Sequence, residues 1–135
     1  YMMPKLIELM GMPKAIIIGG IIWGLWHAPL TCVGHNFGMD YPGFPYLGII
    51  LMCLFCTALG TVLMYVTIKT NSIWPAAFMH AVNNSVPSVL LLFMKQDVEI
   101  PLWIHTLSYI PLLIIALLCF WLMIKRKSIT KENTH

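Results

Sequence analysis

The stretch LGIILMCLFCTALGTVLMYVTI, from Leu47 to Ile68, decides the fold. It runs for 22 residues without an Asp, Glu, Lys, Arg or His. A helix needs about 20 apolar residues to cross the ~30 Å hydrocarbon core of a bilayer. The run is continuous rather than alternating, and it is about twice the length of a barrel strand. It therefore reads as a membrane-spanning helix.

Three flanking segments have comparable length. Ala15 to about Val33 is interrupted by His27 and Pro29. Ile73 to Met94 is uncharged but holds His80, Asn83, Asn84 and Ser85, with Pro75 and Pro87 as expected points of bending. Leu102 to Ile124 has His105 near its start. Residues 34–46 are rich in turn formers, Lys69-Thr70-Asn71-Ser72 is a tight polar link, and Lys95 to Pro101 carries Asp97 and Glu99. The sequence predicts an all-α fold, a polytopic transmembrane helical bundle with spans at about 15–33, 47–68, 73–94 and 102–124. Residues 1–14 read as an interfacial segment broken by Pro4 and Pro13. Residues 15–124 form the membrane domain, and 125–135 a basic cytoplasmic tail.

Composition points the same way. Of 135 residues, 59% are hydrophobic and 10% charged, and the mean hydropathy is +0.83. Soluble domains carry about 25% charged residues. A disordered tail, a nucleic-acid binder and an ordinary cytosolic enzyme are excluded, and the bilayer becomes the first partner. Seven of the eight basic residues (Lys5, Lys14, Lys69, Lys125, Arg126, Lys127, Lys131) fall on one side of a four-span topology, and only Lys95 on the other. The basic side should be cytoplasmic, placing the C-terminus there. Cys53-x-x-Cys56 lies in an uncharged run and reads as small apolar packing rather than a redox pair. The opening Tyr1-Met2-Met3-Pro4-Lys5-Leu6 has no signal-peptide pattern. It reads as the interior of a longer membrane protein.

Polar residues inside spans carry the functional information, because lipid offers them no partners. His80 and Asn84 share one helix face, one turn apart. His27 ends Trp23-Gly24-Leu25-Trp26-His27-Ala28-Pro29, with Trp23 one turn before it and able to pack over the imidazole. The alternative readings are interhelical hydrogen-bond glue for His80 and Asn84, and an interfacial His beside a tryptophan belt for His27. Gly20-x-x-x-Gly24 gives the first span a smooth face for another helix. His35 reads as a solvated loop residue and His105 as interfacial. Trp74, Trp103 and Tyr46 begin spans as aromatic anchors. Counting ~1.5 Å per residue places His27 roughly 18 Å into its span and His80 roughly 10 Å into its own, so a shared site requires tilt, a later start for the first span, or a deep cytoplasmic cavity.

Trp23-x-x-x-His27, within Gly-Leu-Trp-His-Ala-Pro, resembles the second motif (aromatic-x-x-x-His) of the CPBP membrane proteases, the CAAX prenyl protease and bacteriocin-processing (Abi) family. His80-x-x-x-Asn84 resembles the third motif, His-x-x-x-Asn or Asp, and residues 1–6 resemble the stretch that follows the first, Glu-Glu-x-x-x-Arg. The resemblance covers residues 1–93. The first motif itself is missing: the acids are Glu8, Asp40, Asp97, Glu99 and Glu132, and none matches it.

The resemblance implies an intramembrane endopeptidase acting on membrane-associated or prenylated-type peptides in a bacterial cell membrane. The glutamate of the first motif would activate water, His27 would hold it, and His80 and Asn84 would stabilise the oxyanion. Without that glutamate the chain is expected to be inactive by itself. A zinc reading makes His27 and His80 metal ligands. The metal-independent reading is preferred because Asn84 is a poor zinc ligand and a good oxyanion donor. Two other functions compete: a non-catalytic immunity or scaffold protein of the same family, and a His-dependent transporter subunit. The lack of acids within the spans counts against the transporter.

Overall fold

The computed structural model describes residues 2–91, 93 and 101–132. Among these residues every regular element is helical: α1 (Met2–Met10), α2 (Met12–Trp26), α3 (Ala28–Cys32), α4 (Tyr46–Thr70), α5 (Trp74–Leu91) and α6 (Leu102–Glu132). Helix α4 contains the whole of the 47–68 run. Its threonines satisfy themselves: the hydroxyls of Thr57, Thr61 and Thr67 donate to the carbonyls of Cys53, Thr57 and Leu63 at 2.7, 2.7 and 2.9 Å. Such back-bonding leaves no polar group bare where water is absent. Asn71, at φ 51°, caps the helix in the left-handed conformation. The Trp74 N–H then donates to the Ser72 hydroxyl at 3.3 Å as the chain turns back into α5.

Helix α4 is the hub, packing against α2, α3, α5 and α6. Gly20 and Gly24 are buried on its surface. A Cβ on Gly20 would meet Thr57, and one on Gly24 would meet the backbone of Cys53. These pairings run in opposite directions along the two chains, so α2 and α4 are antiparallel. On the other side, residues 51–56 of α4 share a core with Leu102 and Tyr109. Ala58, Val62 and Tyr65 share another with Leu112, Leu113, Ala116 and Cys119. The numbers rise together, so α6 is parallel to α4. Lys14, Lys69 and Lys125 therefore lie towards one end of the bundle. The last two ammoniums rest over the rings of Tyr65 and Trp121 at 5.7 and 5.0 Å.

The close approach of α2 predicts a stability effect. Alanine gains about 1 kcal/mol over glycine in a helix interior. Overpacking costs typically about 1–3 kcal/mol, and here the nearest atoms belong to the Cys53 backbone, its nitrogen 2.7 Å from the added Cβ. Backbone cannot rotate away, so the clash wins. Gly24→Ala should lower the melting temperature in detergent and Gly24→Leu should lower it further. An unchanged melt for the leucine variant contradicts the contact.

Several boundaries differ from those expected. The segment 15–33 is two helices. Pro29 has no N–H, and its ring conflicts with the carbonyl four residues back. The His27 N–H turns instead to the carbonyls of Gly24 and Leu25, and α3 starts afresh with Pro29 in its first turn. The break near the N-terminus falls at Gly11, φ 79°. Pro4 lies in the first turn of α1 and Pro13 in that of α2, where a missing N–H costs little. Helix α5 stays helical past position 87, and α6 continues through the basic residues to Glu132. Met94 and residues 95–100 lie outside the described residues.

Among the described residues two helices are long and apolar enough to cross a membrane, α4 and the Leu102–Lys125 part of α6; α2 is apolar but shorter. Two of the four expected spans thus qualify on their own. Pro29 cuts the first, and the polar cluster from His80 to Ser85 dilutes the third. Only 17% of the apolar window of α6 is buried. Ile114, Leu117, Leu118 and Trp121 face outward, a surface that suits lipid better than water.

Candidate functional site

His27 occupies the joint between α2 and α3, half-buried. Its Nδ1–H donates to the Trp23 carbonyl at 2.9 Å. A carbonyl can only accept, so the neutral ring carries its proton on Nδ1 and its lone pair on Nε2. The joint also holds Thr31, whose hydroxyl donates to the His27 carbonyl at 3.2 Å. Trp26 stands nearly perpendicular to the imidazole at 5.1 Å, and Trp23 lies tilted at 6.2 Å.

His80 lies in the second turn of α5, also half-buried. The Asn84 side-chain amide donates to His80 Nε2 at 3.3 Å. Asn83 in turn donates to the Asn84 carbonyl oxygen at 3.3 Å. The two bonds together set the amide: oxygen towards Asn83, nitrogen towards His80. With Nε2 accepting, the neutral His80 ring carries its proton on Nδ1. Ser85 turns away, its hydroxyl donating to the Ala81 carbonyl at 2.8 Å.

The two halves meet at Trp23. Its indole makes a perpendicular contact with His80, ring centres 5.3 Å apart. Both imidazoles therefore stand against one indole, closer together than two helix diameters, ~20 Å. Among the described residues α2 and α5 make no close backbone approach; the ring spans the space. Side chains on a helix lean towards its N-terminus, and the indole lies along α4 by Gly60. Its reach covers the difference in depth between His27 and His80.

Two further histidines, His35 and His105, are placed elsewhere. His35 is exposed in the 33–45 connection. His105, on α6, packs its ring at right angles to Phe37 at 5.5 Å. Cys53 and Cys56 are unpaired thiols. Cys56 is buried, and the Cys53 thiol points at the Ile21 carbonyl of α2 at 3.8 Å. Among the described residues, no three His, Cys, Asp or Glu side chains gather as a metal site. A catalytic zinc takes three protein ligands, so the two imidazoles do not make a zinc set by themselves. The role missed from sequence is that of Trp23. Its spacing announced contact with His27, but no local signal announces contact with a residue of another helix.

A family profile described as type II CAAX prenyl endopeptidase Rce1-like matches residues 1–86, a range holding Trp23, His27, His80 and Asn84. The chain belongs to this family, whose members are integral membrane endopeptidases. No curated protein and no solved structure matches it.

Proposed function

We propose that this chain carries the histidine and asparagine part of an intramembrane peptidase site, cleaving membrane-associated or prenylated peptides of the CAAX type. The observation that carries the reading is the convergence of His27 and the His80–Asn84 pair on one indole, within a chain of this family. Hydrolysis needs an activated water and donors for the tetrahedral oxyanion. His27 Nε2 accepts a hydrogen bond from the water and holds it. His80 and Asn84 donate hydrogen bonds to the oxyanion. The general base is a glutamate of a Glu-Glu-x-x-x-Arg segment, which these 135 residues do not contain, so they do not turn over substrate alone. The protein spans a bacterial cell membrane as four crossings with its C-terminus in the cytoplasm, which puts Lys14, Lys69 and Lys125 on the positive side.

The test is a peptidase assay on the complete reading frame in membranes, given a farnesylated CAAX-type peptide and its unprenylated twin. A shortened peptide is the expected product. No cleavage of either peptide sinks the proposal and leaves the non-catalytic immunity or scaffold role. Dialysis against a strong chelator should leave turnover within about twofold, because the reading gives Asn84, a poor zinc ligand and a good oxyanion donor, a direct part in the chemistry. Loss that added zinc restores brings the metal reading back.

A further inference from the structure

We infer that Trp23 is a positioning residue for both imidazoles, its main-chain carbonyl orienting His27 and its indole setting the place of His80. The inference rests on the hydrolase reading and adds to it a third residue, one that touches neither water nor oxyanion.

Two separate contacts carry it. The carbonyl of Trp23 accepts the His27 Nδ1–H at 2.9 Å, which keeps Nε2 free. The indole stands perpendicular to His80 with ring centres 5.3 Å apart. Such edge-to-face pairs have a preferred geometry as well as an attraction. The backbones of α2 and α5 do not approach closely among the described residues, so the contact is made by side chains. The indole itself has a fixed seat. It lies beside Gly60 of α4, where an added Cβ would stand 3.7 Å from its six-membered ring, and it packs on the core around Cys56. Helix α4 thus holds the ring, and the ring holds His80. Asn84 fixes which His80 nitrogen is free; Trp23 fixes where that nitrogen stands.

The two contacts respond differently to substitution, and that makes the inference testable. Changing the side chain removes the contact with His80 but leaves the carbonyl that holds His27. In the complete reading frame, Trp23→Leu should lower kcat by ~10²-fold, the scale of a small misplacement of a catalytic group. KM should stay within about threefold, because no binding contact is lost. Trp23→Phe keeps an aromatic edge and should recover most of the loss.

In protein labelled with 15N-histidine, the His80 signals should move in Trp23→Leu while His27 keeps its proton on Nδ1 in every variant. Wild-type kcat in Trp23→Leu, or unmoved His80 signals, overturns the inference. The hydrolase reading survives that result provided His80→Ala is inactive. An active His80→Ala sinks the hydrolase reading itself, and the 15N spectra then decide whether Trp23 places His80. If Trp23→Leu fails to fold, nuclear Overhauser contacts between the indole and the His80 ring in the wild-type protein are the remaining measurement, and their absence overturns the inference equally.

Discussion

Replacing His27 with alanine in the complete reading frame should lower peptide hydrolysis by ~10²-fold or more, the scale of losing the group that holds the attacking water in place. The fold should survive. His27 is half-buried at a helix joint, and the backbone N–H that closes α2 onto Gly24 and Leu25 is present in any residue but proline. The informative companion is His27→Asn. Its side-chain amide can still donate to the Trp23 carbonyl, as Nδ1 does now, but it places nothing at the Nε2 position. If Nε2 is the working atom, asparagine should be as inactive as alanine. Initial rates on a membrane-tethered peptide, normalised to folded protein, give the answer. Activity within about tenfold of wild type in His27→Ala removes this residue from the chemistry.

The second large effect concerns His80 and Asn84 together. Loss of one oxyanion donor typically costs ~10²–10³-fold in kcat, and His80→Ala and Asn84→Ala should each fall in that range. The double variant should lose little more than the worse single one. The reason is the bond between them: the Asn84 amide donates to His80 Nε2 at 3.3 Å, so either deletion disorders the other group. Residues acting as one unit give such non-additive losses. Multiplying losses in the double variant would mean two independent sites. Asn83 offers the internal control. It holds the Asn84 oxygen, at 3.3 Å, and a net hydrogen bond is worth about 1 kcal/mol. Asn83→Ala should therefore cost less than about tenfold.

Much of the fold was legible in the residues, and the limits are specific. The uncharged run from Leu47 announced α4 because desolvated backbone must form its own hydrogen bonds, and over that length only a helix can. Pro29 announced trouble in the first span, and the chain does break there. It did not announce that α3 would restart immediately, which depends on how the His27 N–H and the Thr31 hydroxyl are satisfied. Gly20 and Gly24 announced a smooth helix face but not its partner, which is α4 at Thr57 and Cys53. Of the site, spacing alone gave the His80–Asn84 pair, since four residues make one helical turn.

The amino-acid sequence by itself determined the helical class, the apolar surface that seeks lipid, and the contacts one turn apart: Trp23 with His27, and His80 with Asn84. Each follows from local periodicity and from the cost of an unpartnered polar group. Only the tertiary structure decided that these two pairs belong to one place. That depends on the stagger of α2 and α5 against α4 and on the length of one indole. Neither is encoded at any fixed spacing along the chain, because contacts between helices are set by packing in three dimensions.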